Sequence, residues 1–548
     1  MMAVPMECHC IPATEIPHST QLYSTYIQNF PAVEQFYGRP PTLDAVRQEA
    51  EEISRTVAGA AAPARQLRGE VAAILRAQNR QFGADPSVEA SLDRFAAGAA
   101  AIVSGQQVGL FSGPSYTIYK ALSALRLANE LDSSGKPAVA IFWLASEDHD
   151  LAEVNHALWP GREGPVRLEL PSPGSAARRV GEVLLGENVA PLVERAAEML
   201  DGPAAAEVSQ WLAECYTPGE TYASAFGKLL ARIFAGRGLI LLDPLSPELH
   251  RLAAPLYRQA LEQHAALRQE LTTRSAALER ARLHTQVKVA ESSTLLFVNV
   301  DGERSPLRAR NGEFLLGRRV FAPAKLLEWL ADSPEAFSPN VLLRPIVQDY
   351  LLATAAYVAG PSEIAYFAQA STVYQRLLGR MPVILPRASF TLVDAHAVRL
   401  LRKYGLEFST LLQGPQTLRV KMERDLLPRA LTRQFETSEK KLRKTLEDLR
   451  APVAKLDPTL SGSLDTAVGK MIYQFTNLQG KVAHALSFRS SVLDAHLKEL
   501  TGRLYPHGNL QERTLCFLPI LAAQGMGLLD ELGERITPGA TQHQVLYL

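Results

Sequence analysis

The stretch from residue 99 to residue 146 limits the fold more than any other. AAAIVSGQQVGLFSGPSYTIYKALSALRLANEL reads as a short apolar strand ending near Val103, a glycine-rich turn, and an amphipathic helix from about Ser115. KPAVAIFWLAS follows as a second apolar strand and runs into Glu147, Asp148, His149 and Asp150. Strand, helix and strand in this order predict a parallel pair joined by a right-handed crossover. Open parallel sheets carry their functional crevice outside the carboxyl ends of the strands. The glycine-rich turn and the acidic cluster are therefore expected to be neighbours in space, about forty residues apart in sequence.

Further segments fit the same plan. GLILLDPL (238–245) is an apolar run ending in an Asp-Pro turn, and PVILP (382–386) frames another short strand. LLATAAYVAGPSEIAYFAQASTVYQRLL reads as a strand, a Gly360-Pro361 turn and a helix. Residues 42–96 read as helices, and residues 160–237 as mostly helical. Residues 287–320 alternate and turn at Asp301-Gly302, which predicts a β-hairpin insertion. The fold class is thus α/β. A Rossmann-like parallel-sheet core is expected over residues 1–395, with insertions at about 160–237 and 270–330.

Residues 396–504 have another texture. Leu427, Leu431, Phe435, Leu442, Leu446 and Leu449 lie at helical spacing. After a break at Pro452 to Gly462 the stripe resumes through Leu464, Val468, Met471, Phe475, Leu478, Val482 and Leu486. This predicts an antiparallel coiled-coil arm, with residues 505–548 returning to the core. Two helices cannot bury both sides of such an arm, so it is expected to pack on a second subunit, giving a homodimer, or on the core.

Composition narrows the function. Lys plus Arg equals Asp plus Glu at 57 each, which argues against nucleic acid and for small molecules as partners. No apolar run approaches the ~18 residues of a membrane span. MMAVPMECHCIPATEIP lacks a basic region followed by an apolar one, so no secretory leader is expected. Cys8, Cys10, Cys215 and Cys516 make no disulfide framework, and a reducing cytoplasm is the expected compartment. Cys8-His9-Cys10 has no second ligand pair at matching spacing.

On a continuing helix, His149, Glu153 and His156 would share one narrow face, flanked by Asp148 and Asp150. Such a face can hold a divalent metal, orient an ammonium group or supply a general base. As plain structure, the carboxylates cap a helix and pair with nearby cations. In SGQQVGLFSGPSYTIYK, Gly105, Gln106, Gln107 and Gly113 precede a helix start whose free N–H groups suit an anion, with Tyr116 and Lys120 inside the helix. A tight turn that needs glycine is the plain alternative. Neither the P-loop nor the dinucleotide glycine pattern is present. Further polar clusters are RPIVQD with Arg344 and Gln348, GPSEIAYF with Glu363 and Tyr366, and YPHGNLQER with His507, Asn509, Gln511 and Arg513.

Together SGQQVGLFSGPSYTIYK, FWLASEDHDLAEVNHA, LRPIVQDYLLATAAYVAGPSEIAYF, LPRASFTLVD and YPHGNLQER resemble the BshC family, the cysteine ligases of bacillithiol biosynthesis. The resemblance runs from about residue 10 to the C-terminus. It implies a core similar to that of class I aminoacyl-tRNA synthetases, with connecting insertions and a dimerising coiled-coil arm. The implied reaction joins cysteine to the amine of glucosaminyl malate. Forming an amide from a carboxylate in water needs an activated acyl group, so ATP with magnesium is the expected co-substrate, and no tightly bound metal is expected. Where class I synthetases carry a His-x-Gly-His turn this chain has Gly105-Gln106-Gln107, and it lacks Lys-Met-Ser-Lys.

On this reading Asp148, His149, Asp150 and His156 recognise the amine or act as base. Arg344 and Arg513 bind malyl carboxylates, for which a planar guanidinium is suited. Gly105, Gln106, Gln107, Gly113, Tyr116, Lys120, Asn155, Gln348, Glu363, Tyr366, Arg387, His507, Asn509 and Gln511 complete the substrate site. Two other readings stay open. One is a metal-dependent hydrolase built on the Asp148/His149/Asp150/His156 cluster. The other is a non-catalytic scaffold that assembles pathway enzymes through the arm.

Overall fold

The computed structural model describes residues 7–59, 62–161, 163–171, 178–424, 429–487 and 491–548. Five strands form the expected parallel sheet: β1 (Ala100–Gln106), β2 (Ala138–Leu144), β3 (Ile240–Leu242), β4 (Thr354–Ala359) and β5 (Val383–Pro386). Their order is β5-β4-β1-β2-β3, and every neighbouring pair is parallel.

The central strands are buried on both faces, as continuous apolar runs require when helices cover the sheet on both sides. Ala100, Ile102 and Phe142 join one core with helix Tyr116–Ser133. Ala101, Val103 and Trp143 join the other, with helix Pro361–Leu378. A Cβ on Gly105 would lie 2.6 Å from the Trp143 carbonyl oxygen, so glycine is what lets β1 and β2 close up at their ends.

Helix Tyr116–Ser133 carries the chain from β1 to β2, and helix Pro361–Leu378 carries it from β4 to β5. Because β1 and β4 are adjacent, the loops leaving them part in opposite directions. That is a topological switch point, the position at which such sheets open a crevice.

The insertion is larger than the hairpin expected. Ser293–Val300 and Glu303–Arg310 do turn at Asp301-Gly302, both with positive φ (53° and 80°), as a tight hairpin turn requires. Glu313–Leu316, Arg319–Phe321 and Phe337–Pro339 extend the pair to a five-stranded antiparallel sheet. Within residues 160–237 the helices Val189–Glu198, Ala205–Cys215 and Tyr222–Ile233 follow a short antiparallel pair, His156–Trp159 with Val166–Glu169. At the far end, Gln542–Tyr547 pairs in parallel with Ser389–Val393 and antiparallel with Glu7–Pro12.

The arm consists of Arg429–Asp448, Arg450–Leu456 and Leu460–Ser487. Phe435 and Phe475 meet edge to face at 5.7 Å, joining its two long helices. The break is shorter than expected, because Pro452 sits in the first turn of Arg450–Leu456, where its missing N–H has no helical acceptor to lose. Residues 1–6, Leu427 and the Leu486 side chain lie outside what the structure describes. Among the described residues no helix is long and apolar enough to cross a membrane.

Candidate active site

A cavity of about 230 Å³ opens where the loops after β1 and β4 part. Gly105, Gln106 and Gln107 reach it from the end of β1, and Asp148 from the end of β2. Tyr116 and Lys120 come from the first crossover helix, Glu363 from the second, and Arg344 and Gln348 from helix Arg344–Leu352. Arg387 follows β5, and Arg513 arrives from the short helix Gln511–Thr514 in the C-terminal segment. The expected closeness of turn and acidic cluster is met. Gln107 Nε2 donates to Asp148 Oδ2 at 2.9 Å and to Glu153 Oε2 at 2.7 Å.

Four cations line this cavity, and two are already neutralised. Lys120 Nζ lies 2.7 Å from Glu363 Oε2, 2.8 Å from the Gly105 carbonyl and 3.0 Å from Gln106 Oε1. Burial pulls the Lys120 ammonium below its usual range, and Glu363 draws it part of the way back. Arg387 donates twice to Glu512, at 2.6 and 3.0 Å, and both groups are buried. These pairs are struts: one ties β1 to the second crossover helix, the other ties the C-terminal segment to the core. Arg344 bonds the Tyr366 hydroxyl, and neither Arg344 nor Arg513 reaches ion-pair distance of a carboxylate among the described residues.

The helix start expected to bind an anion is closed by the protein itself. Ser115 donates to the Leu515 carbonyl from its N–H at 2.8 Å and from its hydroxyl at 2.6 Å. Cys516 Sγ donates to the Phe111 carbonyl at 3.0 Å. Gly113, with φ of 66°, turns the chain beneath this cover and does not line the cavity.

The shared helical face of His149, Glu153 and His156 does not form. The helix there is one turn, Leu151–Val154, capped by Asp150, which accepts from the Glu153 N–H at 3.3 Å. His156 then begins a strand whose Ala157 and Trp159 are buried, so period-two burial overrides the helical register. Asp150 and His156 consequently line neither of the cavities that Asp148 and His149 reach. Asn155 is buried, donating to the Leu170 carbonyl at 2.8 Å. Among the described residues no group of three His, Cys, Asp or Glu is placed to hold a metal ion, and the hydrolase reading thereby loses its donor set.

Four other expected residues also fall off the cavity wall. Tyr366 stands behind Arg344. Gln511 is a buried staple, accepting from the Leu392 N–H and donating to the Leu392 and Arg503 carbonyls. His507 is exposed in a turn with φ of 54°. Asn509 lines an adjoining cavity of about 180 Å³ that shares Arg387 and Arg513 with the first.

A third cavity, of about 410 Å³, lies between the end of β2 and the inserted sheet, and shares Trp143, Ala145, Asp148 and Arg344 with the first. His149 lines it. Arg304 Nη1 donates to His149 Nδ1 at 3.1 Å, which leaves the ring's own N–H on Nε2. Burial raises the Asp148 carboxyl, but hydrogen bonds from Gln107 and the His149 N–H, with Arg344 and Arg304, bring it below its usual range.

Glu147, given no role from the sequence, is the buried member of the cluster and lines this cavity too. Burial pushes it up to about 7, while Arg304, Arg179 and Arg344 pull it down and Asp243 adds to the rise. His250 Nε2 lies 3.4 Å away without a hydrogen bond forming. The only local signal for Glu147 was its place as the first charge after a fully apolar strand.

A carboxyl with a raised value keeps its proton in the fold after the unfolded chain has lost it. The contribution of Glu147 to stability is therefore expected to fall as pH rises from 4.5 to about 7 and then level off, by roughly 3 kcal/mol. Glu147→Gln should remove most of that slope, which urea unfolding across this pH range will measure.

Two family models match the chain: "Bacillithiol biosynthesis BshC, N-terminal Rossmann-like domain" over residues 6–388, and "Bacillithiol biosynthesis BshC, C-terminal coiled-coil domain" over residues 390–548. The chain belongs to the BshC family. A BshC relative from Koribacter versatilis is 40% identical over 524 residues, covering 95% of this chain and 96% of its own. One from Solibacter usitatus is 36% identical over 544 residues, covering 99% and 100%. A third, from Salinibacter ruber, is 33% identical over 548 residues, covering 98% of each. All three carry the name "Putative cysteine ligase BshC".

Proposed function

We propose that this chain joins the carboxyl of cysteine to the amine of glucosaminyl malate, the ligation that produces bacillithiol, with ATP as the activating co-substrate. The observation that carries the reading is the cavity at the switch point. It presents Arg344 and Arg513 without carboxylate partners among the described residues, beside the amides of Gln106, Gln107 and Gln348. A malyl group brings two carboxylates, and these two guanidinium forks answer them. Lys120 and Arg387, already paired, hold the loops that place those forks.

ATP enters on chemical grounds, since an amine does not displace hydroxide from a carboxylate, whereas phosphate or AMP is a good leaving group. The nucleotide is not assigned to the helix start at Ser115, which Leu515 covers. The test is incubation of the purified protein with cysteine, glucosaminyl malate and magnesium ATP, followed by mass spectrometry of thiols and nucleotides. Bacillithiol with AMP is the outcome expected of an adenylate; bacillithiol with ADP indicates an acyl phosphate. No product from intact components overturns the ligase reading.

The same proposal includes a cytoplasmic homodimer joined through the arm. Tyr473 and Leu478 on its long helix are 67% and 52% exposed, an apolar surface of the kind a second copy covers. Tyr473→Glu with Leu478→Glu is expected to halve the mass in sedimentation equilibrium. An unchanged mass removes the arm as the contact.

A further inference from the structure

The cavity of about 410 Å³ beside the inserted sheet differs in chemistry from the carboxylate site next to it, and its size is that of a small-ligand pocket. Glu147 lines it with a side chain only 6% exposed, and its Oε1 has no hydrogen-bond partner among the described residues. Buried carboxyl oxygens are seldom left unmatched, so this atom points to a missing donor. His250 Nε2 lies 3.4 Å from this oxygen without a hydrogen bond, on a ring that burial keeps uncharged, and no Lys or Arg among the described residues reaches ion-pair distance of Glu147. Arg304 is close, but it is engaged with the Ser338 hydroxyl, the Pro339 carbonyl and His149, and its guanidinium stacks 3.9 Å from the Phe297 ring centre. The acidic end of the cavity therefore remains open to a cation from outside.

We propose that this cavity receives the amino-acid substrate, with its ammonium on Glu147 and Asp148 and its carboxyl at the wall shared with the first cavity. The inference rests on the ligase reading and adds where the amino acid sits and what selects it. An ammonium supplies the N–H donors that the Glu147 oxygen lacks. Leu295, Leu296 and Phe297 give a short side chain an apolar wall. The shared wall brings the carboxyl beside whatever amine occupies the first cavity, the proximity that a bond-forming step needs. Selection is by the ammonium: a thiol acid that lacks it leaves Glu147 unmatched and is bound weakly.

Equilibrium dialysis on the full-length protein tests this with L-cysteine against 3-mercaptopropionate, which lacks only the ammonium. The expected result is binding of L-cysteine at least tenfold tighter than the thiol acid, a preference that Glu147→Gln abolishes. In the ligation assay, Glu147→Gln should raise KM for cysteine at least tenfold and leave KM for glucosaminyl malate unchanged. Ala290→Trp, at the exposed mouth of the same cavity, should do likewise, and it decides the matter if Glu147→Gln does not fold. Unchanged KM for cysteine in variants that still make product overturns the placement while the ligase reading stands. If the wild type makes no product, the dialysis result decides alone: equal binding of the two thiols, or none, overturns the proposal.

Discussion

Replacing Arg344 by alanine is expected to raise KM for glucosaminyl malate by about 10²-fold, with little change in kcat. Arg344 is the cation best placed for a carboxylate. It stands at the start of helix Arg344–Leu352, its fork is oriented by the Tyr366 hydroxyl, and no protein carboxylate pairs with it among the described residues. Arg344→Lys keeps the charge but loses the planar fork, so a smaller rise, about tenfold, is expected. Arg513 is exposed where Arg344 is largely enclosed, so Arg513→Ala should cost less. Steady-state kinetics at saturating cysteine and ATP give the answer. An unchanged KM with a lowered kcat would move Arg344 from substrate binding to the chemical step.

The largest loss of stability is expected from Glu512→Ala. Glu512 accepts two hydrogen bonds from Arg387, one from the Ser389 hydroxyl and one from the Phe390 N–H. Removing it strands a buried guanidinium and two further donors, at about 3–5 kcal/mol. Burial raises the Glu512 carboxyl, but Arg387 more than compensates and holds it below its usual range. A depressed carboxyl contributes stability above its unfolded value of 4.5 and loses it as pH falls through the folded value. The deficit of the variant should therefore be full at neutral pH and shrink under acid, which urea midpoints at several pH values will reveal. A deficit below about 1 kcal/mol at neutral pH would show that the buried pair is replaceable.

The two predictions differ in how far they were visible beforehand. Arg344 was legible because RPIVQD sits in a polar cluster near a strand, and a guanidinium there suits carboxylates. Glu512 was not singled out, although YPHGNLQER contains it. Nothing within that string says that Arg387, 125 positions earlier, will meet it. Glu147 and His250 make the same point, 103 positions apart. The sequence also misjudged the stretch after β2. His149, Glu153 and His156 have helical spacing, but Ala157 and Trp159 have strand spacing, and burial of the tryptophan decided between them.

What the sequence alone determined was local in origin. Apolar period and glycine turns marked β1, β2 and β4, their crossover helices, the coiled-coil arm and the tight turn at Asp301-Gly302. The rule that such sheets work at their carboxyl ends then brought Gln107 beside Asp148. The tertiary structure alone decided that β4 lies next to β1, and so where the crevice opens. It also decided which cations remain free, that Leu515 closes the helix start at Ser115, and that Glu147 is the buried acid. The physical reason is range. Periodicity reports the face that each segment must bury, whereas strand order and charge pairing depend on which distant segments meet.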